Sequence, residues 1–370
     1  MIYLDNGATS FPKPEAVVQA VSQAMTGCAN PGRGGHEAAQ AGAQAVFSCR
    51  STAAAFFDCL PEQVVFTQNC THGLNMAIRT LVKPGDRVVI SGFEHNAVTR
   101  PLHRLRADIR VAGRRLFDPE DTLREFRRVL NSGVRAAVFT WVSNVFGYIL
   151  PVEEMAGMCR SRGIPFVIDA AQAAGTEEIS LGKLGADFIA MPGHKGLLGP
   201  MGTGILLCNR LPQPLICGGT GSESISQSMP DFLPDRGEAG TLNVPGIAGL
   251  EAGIRTVTEL GRENLRRREA KLAVQAARML QGLGMEVFSG AHQAGTLSFR
   301  CKMDCEEGAA LLGQTGIALR AGLHCAPLAH RSAGTLSTGT LRLSFGWQSE
   351  ETQLAELKEA VRTRIAPGNP

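Results

Sequence analysis

The sequence predicts an α/β protein: a seven-stranded, mostly parallel sheet covered by helices, followed by a smaller C-terminal α/β domain. Three observations carry that prediction. Seven short apolar runs recur before residue 210, helical patterns separate most of them, and two further strand-like runs appear after a long loop and a long helical stretch. Alternating strands and helices imply parallel strands joined by crossover helices, with both sheet faces covered.

The seven runs are VVFT (64–67), RVVIS (87–91), IRVAG (109–113), AAVFTWVS (136–143), PFVIDAA (165–171), DFIAMP (187–192) and TGILLCN (203–209). Short apolar runs bounded by Gly or Pro read as strands buried on both faces. Helical spacing lies between them, for example from Pro119 to Leu130 and from Val152 to Arg162. The last two runs are joined by a Gly-rich segment, HKGLLGPMGTG, too short for a crossover helix, so that pair is expected to be antiparallel or loop-linked. Residues 211–245 read as one long loop, a feature that is usually functional or crosses to a partner. A single long helical pattern from Ile247 to about Leu283 is expected to lead into the smaller domain. There, TLSFRC (296–301) and TLRLSFG (340–346) read as strands, and the stretches from Glu306 to Leu312 and from Glu350 to Arg364 read as helices. The large domain is placed at 15–250, and the small domain at 1–14 plus 251–370.

Composition narrows the function classes. Lys and Arg number 37 against 34 Asp and Glu, a net charge of +3, which argues against a nucleic-acid surface. The basic stretch RENLRRREAK (262–271) carries glutamates at helical spacing and reads as a solvated helix face. The ten cysteines are scattered singly with no CxxC pair. The N-terminus lacks the charged and apolar regions of a secretory signal, and no apolar run approaches the ~20 residues that span a bilayer. The expectation is a cytoplasmic protein with reduced thiols and no membrane partner.

The chemistry-bearing residues cluster at the ends of the apolar runs. Asp169 closes PFVIDAA, and Lys195 follows DFIAMPGH. In open α/β sheets, ligands sit at the carboxyl ends of the strands. A lysine there can form a Schiff base, and an acid beside it needs a cation or donor. Pyridoxal 5′-phosphate (PLP) asks for that couple, a Lys for its aldehyde and an Asp for its pyridinium nitrogen. Cys70 and Thr71 open a helical pattern directly after VVFT, where free N–H groups suit a phosphate or a plain N-cap. His95 lies just past RVVIS, where an imidazole can stack on an aromatic cofactor and move protons. Asn144 ends another apolar strand, so its amide could bond a phenolic oxygen or a substrate carboxylate, or serve only the turn. Arg342, inside TLRLSFG, must find an anion: a substrate carboxylate or a structural partner. Cys325 sits in LRAGLHCAPLAH with His324 beside it and Arg320 upstream. A Gly- and Pro-punctuated loop of that kind presents a nucleophile rather than burying it. The His324, Cys325 and His330 spacing fits no standard zinc pattern, so no metal is expected.

Taken together, these motifs resemble the PLP-dependent cysteine desulfurases of the aminotransferase class V family. The carriers are YLDNGATS (3–10), NPGRGGH (30–36), CTHGLN (70–75), EHNAV (94–98), VSNVFG (142–147), DAAQAAG (169–175), GHKGLLGP (193–200), EAGTLN (238–243), RAGLHCAP (320–327) and TLRLSFG (340–346). The resemblance covers nearly the whole chain and implies the PLP-dependent transferase fold type I. It implies that Lys195 holds PLP, Asp169 keeps the ring nitrogen protonated, Gln172 bonds the ring hydroxyl and His95 stacks on the ring. Cys70, Thr71 and His194 would receive the phosphate, and Thr241 would reach the cofactor of a neighbouring subunit in a homodimer. Asn144 and Arg342 would hold the substrate carboxylate, with Arg320 nearby. Cys325 would take sulfur from L-cysteine as a persulfide, leaving alanine, and pass it to an acceptor protein or small thiol. The sequence departs from the family pattern at Pro192, where a phosphate-binding Ser often stands, and at Gly7, where Ala is usual. The segment from Cys325 to Arg342 is short, as in the compact-loop subgroup that contains selenocysteine lyases, so L-selenocysteine is an alternative substrate. Other class V chemistry, such as transamination, and a non-enzymatic role in a sulfur-transfer complex are the remaining alternatives.

Overall fold

The structure, a computed structural model, describes residues 1–32, 34–131 and 133–366. Arg33, within the NPGRGGH motif, lies outside the described residues.

The chain opens on a two-residue strand, β1 (Ile2–Tyr3), and two helices, α1 (Glu15–Gly27) and α2 (Glu37–Phe56). The large sheet follows: β2 (Val64–Thr67), α3 (Cys70–Leu81), β3 (Arg87–Ser91), α4 (Asn96–Arg104), β4 (Asp108–Ala112), α5 (Pro119–Val129), β5 (Val134–Thr140), α6 (Val152–Arg160), β6 (Phe166–Asp169), α7 (Leu181–Leu184), β7 (Phe188–Pro192) and β8 (Gly204–Cys208). Two long helices, α8 (Val244–Leu260) and α9 (Arg262–Gly282), lead to the smaller domain. It contains β9 (Glu286–Phe288), β10 (Thr296–Arg300), α10 (Cys305–Gly313), β11 (Ile317–Ala318), β12 (Arg320–Gly322), α11 (Pro327–Ser332), β13 (Thr340–Ser344) and α12 (Thr352–Arg364).

The strand order of the large sheet is β2-β8-β7-β6-β5-β3-β4. All seven expected strands are present. β8 runs antiparallel to both its neighbours, as the short HKGLLGPMGTG link requires. The other six strands therefore point the same way, and their carboxyl ends share one edge. Side chains alternate across the sheet. In β5, Ala137 and Phe139 enter the core under α2, α5 and α6, whereas Ala136 and Val138 face the core under α3 and α4.

A second sheet, β12-β13-β10-β9, carries its own core of Leu297, Phe299, Leu341 and Leu343 against α9, α10 and α12. Ile2 and Leu4 complete this core, because β1 pairs in parallel with β11. The first five residues are thus built into the C-terminal domain.

The expected single helix from Ile247 to Leu283 is two helices. Gly261 breaks it with φ 80°, a left-handed value that favours glycine. The expected domain boundary at 250–251 falls inside α8, which packs on α1 and α2, while α9 packs on β9 and β10. Periodicity alone could not separate two consecutive amphipathic helices of similar character. The two-residue strands β1 and β11 are too short for any periodic signal.

One close approach anchors the turn after β7. Gly175 has φ 99°, and a Cβ there would lie 2.2 Å from the Gly196 carbonyl oxygen; a Cβ on Gly196 would lie 2.1 Å from the Ala174 carbonyl oxygen. The two backbones touch with no room for a methyl group. Gly196→Ala is therefore expected to lower stability by about 1–3 kcal/mol, the usual cost of overpacking, measured by urea unfolding. Unchanged stability would show that these segments separate freely.

Candidate active site

The shared carboxyl edge of the sheet gathers the expected residues. Asp169 is the last residue of β6 and is 2% exposed. Its Oδ1 accepts from the Ala171 N–H at 2.9 Å and from the Cys70 thiol at 3.5 Å. Cys70 is the first residue of α3, whose N-cap Asn69 accepts from the His72 N–H at 2.9 Å. The Cys70 thiol therefore turns inward, toward Asp169, instead of outward as a phosphate donor. Burial, then the Asp169 charge, hold it well above the ordinary thiol range. Thr71 is exposed at the same helix start.

Lys195 lies in the turn after β7. Burial, then the Arg342 charge, lower its pKa, and Asp169 opposes the fall. Beside it, the His194 carbonyl is a hub: it accepts from Ser10 N–H (3.0 Å), Thr9 Oγ1 (3.0 Å), Ser10 Oγ (3.1 Å) and Lys13 Nζ (2.8 Å). This ties the N-terminal YLDNGATSFPK segment to the lysine turn. Burial lowers Lys13 to about 8 and His194 to about 4. The His194 Nδ1 is buried without a partner among the described residues. Gln172 donates from Nε2 to the Gly7 carbonyl at 2.9 Å, so that amide group is engaged by the N-terminal segment.

His95 caps α4, its Nδ1 accepting from the Ala97 N–H at 3.0 Å, which leaves the proton on Nε2. Burial lowers its pKa, against the pull of Asp169. Beneath it, the buried Glu94 accepts from the Thr140 N–H at 2.9 Å and from Ser91 Oγ at 2.5 Å, locking the end of β3 to that of β5. Burial raises this acid to about 8.

The loop bearing Cys325 is held from both sides. Asn144 Nδ2 donates to the His324 carbonyl at 2.8 Å, and the Asn96 N–H donates to the Cys325 carbonyl at 2.8 Å. The Asn144 amide thus grips the loop, in place of the expected phenolic oxygen or carboxylate. Both His324 (φ 50°) and Cys325 (φ 55°) are left-handed, and the Cys325 side chain is exposed. Under the loop, the His324 and His330 rings stack at 5.7 Å with their nitrogens 3.5 Å apart, and His330 Nδ1 meets Thr335 Oγ1 at 2.7 Å.

Arg342 is 2% exposed. It donates from Nη2 to Asp5 at 2.5 Å and from Nη1 to the Asn144 carbonyl at 2.9 Å, while Nε is buried without a partner among the described residues. Its anion here is Asp5. Arg320 stands opposite it in the β12–β13 register, exposed and without an ion pair among the described residues. Thr241 is exposed and lines a separate cavity with Gln68, His72 and Glu238, which includes neither Asp169 nor Lys195. No role was read from the sequence for Asp5, Lys13 or Glu94, and His330 was weighed only as a metal ligand. Asp5 lies within the YLDNGATS motif and Glu94 within EHNAV, which were the available signals. Among the described residues no group of three His, Cys, Asp or Glu side chains could hold a metal ion, and no helix is long and apolar enough to cross a membrane.

The sequence profile of the aminotransferase class-V family matches residues 2–357. A probable cysteine desulfurase of Pyrococcus abyssi is 32% identical over 98% of this chain and 95% of its own length. A probable cysteine desulfurase of Methanothermobacter thermautotrophicus is 33% identical over 95% and 92%. The apo cysteine desulfurase of Thermococcus onnurineus superposes with a TM-score of 0.88 at 30% identity, over 98% of this chain and 94% of that one.

The His324–His330 pair generates a pH dependence of stability. Burial lowers His324 to about 2 and His330 to about 4, whereas the unfolded chain protonates them near 6.5. The unfolded state binds more protons below that pH, so their contribution is complete above about 6.5 and is lost as pH falls toward 4. Each group can remove at most about 1.4 kcal/mol per pH unit. Urea unfolding between pH 6.5 and 5 is expected to show this fall, and His330→Gln to reduce its slope. An equal slope in the variant would mean that His330 is already protonated in the fold.

Proposed function

The chain belongs to the aminotransferase class-V family, and from that premise we propose that it is a PLP-dependent cysteine desulfurase, converting L-cysteine to L-alanine with transfer of the sulfur to Cys325. One observation carries the reading most directly. The loop that presents the exposed Cys325 thiol is fastened by its backbone, the Cys325 carbonyl to Asn96 and the His324 carbonyl to Asn144, at the strand-end edge that bears Asp169 and Lys195.

The residues present fit the cofactor. Burial of Lys195 favours the neutral amine that condenses with an aldehyde. Asp169 offers a carboxylate to the ring nitrogen. The start of α3, the Thr71 hydroxyl and the unpartnered His194 Nδ1 suit the phosphate. Pro192 supplies neither an N–H nor a hydroxyl there. When bound, PLP supplies the electron sink that makes the substrate Cα acidic.

The chain's own groups supply the rest. Lys195 Nζ and His95 Nε2 are the groups that move protons at the reacting carbon. Arg320, exposed and without an ion pair among the described residues, is offered to the substrate carboxylate, beside Arg342, which Asp5 braces. The Cys325 thiolate attacks the substrate sulfur. The carbon–sulfur bond breaks, its electron pair remains on carbon and takes up a proton, and Cys325 carries the persulfide.

Cys325→Ser is expected to lower alanine formation from L-cysteine at least about 100-fold, because the hydroxyl cannot accept sulfur. Selenium can leave without thiol attack, so activity on L-selenocysteine is expected to survive. Alanine assays on both substrates check this; full activity of the variant on cysteine would reject the assignment.

The site is completed by a second copy. Thr241 is exposed and lines a cavity that does not include Lys195, on an extended loop whose base is pinned by the buried Arg50–Glu238 pair at 2.8 Å, and Ile225 on that loop is 98% exposed. A homodimer in which Thr241 reaches the partner's phosphate accounts for both features. Mixing Lys195→Ala with Thr241→Ala subunits is then expected to restore part of the activity lost in each variant alone. Failure of co-refolded subunits to complement, with heterodimers shown by mass spectrometry, would reject the role in trans.

A further inference from the structure

Beside Cys325 a pocket of about 410 Å³ opens between α3 and α4. Thr71 and Arg79 line it from α3, His95, Arg100 and Arg104 from α4 and its cap, and Cys325 from the loop; no carboxylate lines it. The three guanidiniums are exposed and make no ion pair or hydrogen bond among the described residues. Several exposed arginines on other helices are neutralised locally, as Arg124 is by Asp121, Arg255 by Glu251 and Arg362 by Glu359. The helix NAVTRPLHR has no acid to do this. Arg100 and Arg104 stand at i,i+4 on one face, where like charges repel. An anion in the pocket would relieve that repulsion and could be gripped bidentately. The volume lies in the range of small-ligand sites.

We propose that this pocket seats a small anionic sulfur acceptor, which discharges the Cys325 persulfide. The inference rests on the desulfurase reading. The shared chemistry is a sulfur nucleophile carrying negative charge, either a carboxylated thiol or a sulfur oxyanion. For a thiolate, Cys325–S–SH + R–S⁻ gives Cys325–S⁻ + R–S–SH. For sulfite, Cys325–S–SH + SO₃²⁻ gives Cys325–S⁻ + HS–SO₃⁻. In both, the acceptor sulfur bonds the outer sulfur, the old S–S bond breaks, and its electron pair leaves on Cys325 Sγ. No oxidant or reductant enters. The arginine field concentrates the anion at the thiol and favours the departing Cys325 thiolate.

The test uses holoenzyme at saturating L-cysteine and measures alanine against acceptor concentration. The acceptors are mercaptosuccinate, 2-mercaptoethanol, cysteamine and sulfite, with rates for the thiols corrected for thiolate fraction. An anionic acceptor is expected to exceed 2-mercaptoethanol at least about tenfold in kcat/KM, cysteamine to be poorest, and added salt to shrink the advantage. In Arg100→Gln/Arg104→Gln the KM for that acceptor should rise about tenfold, and that for 2-mercaptoethanol less than twofold. An advantage confined to mercaptosuccinate identifies a carboxylated thiol, and one confined to sulfite an oxyanion. Turnover blind to acceptor charge, or an advantage that persists in the double variant, overturns the pocket; an acceptor that must be an acidic protein would show as such blindness. The desulfurase reading is tested separately, by whether one equivalent of alanine forms per site without any acceptor.

Discussion

A guanidinium buried between the two domains sets the geometry of this site. Arg342 rises from β13 of the small domain, meets Asp5 near the N-terminus, and reaches the Asn144 carbonyl at the end of the large sheet. Asn144 then holds the His324 carbonyl. One chain of bonds, Asp5–Arg342–Asn144–His324, fixes the thiol loop relative to the sheet edge. A buried charge is tolerable only when such partners are present, so the pair also constrains how the two domains sit. The N-terminal segment takes part twice, through Asp5 and through the four donors that converge on the His194 carbonyl.

Burial acts in opposite senses on the basic groups and the thiols of this edge. Lys195, His95 and His194 are pushed toward their neutral forms, which on the proposed reading suits an amine that attacks a carbonyl and imidazoles that exchange protons. The same desolvation pushes Cys49 and Cys70 upward, so these thiols stay protonated and inert. The Cys325 side chain is exposed. Cys217 is exposed too, so what sets Cys325 apart is its place in a pocket with His95, on a loop held by Asn96 and Asn144.

The large sheet was legible because its strands are apolar runs with clear punctuation, and even the reversal of β8 followed from the length of the HKGLLGPMGTG link. The places of Asp169, Lys195 and His95 at the sheet edge could be read because Asp169 closes one such run and the other two follow runs, and that of Cys325 because it lies in a Gly- and Pro-punctuated loop. What could not be read was the wiring. Nothing in VSNVFG says that the Asn144 amide serves a carbonyl 180 residues away. Nothing in TLRLSFG separates Asp5 from a substrate carboxylate as the partner of Arg342. Those assignments depend on how the small domain docks, and docking is set by contacts between segments far apart in sequence.

The Cys325 loop shows how strain and support combine. Two successive non-glycine residues in the left-handed region cost on the order of 1–2 kcal/mol each. A relaxed loop would turn the thiol to another direction at lower energy. The conformation persists because its carbonyls are held at residues 324 and 325, and because the His324 ring rests on His330, itself tied to Thr335. The support comes from below the loop and from its flanks, so the outward face is left open. On the proposed desulfurase reading, a thiol that first meets a substrate and then an external acceptor needs that arrangement: a held backbone and an exposed sulfur.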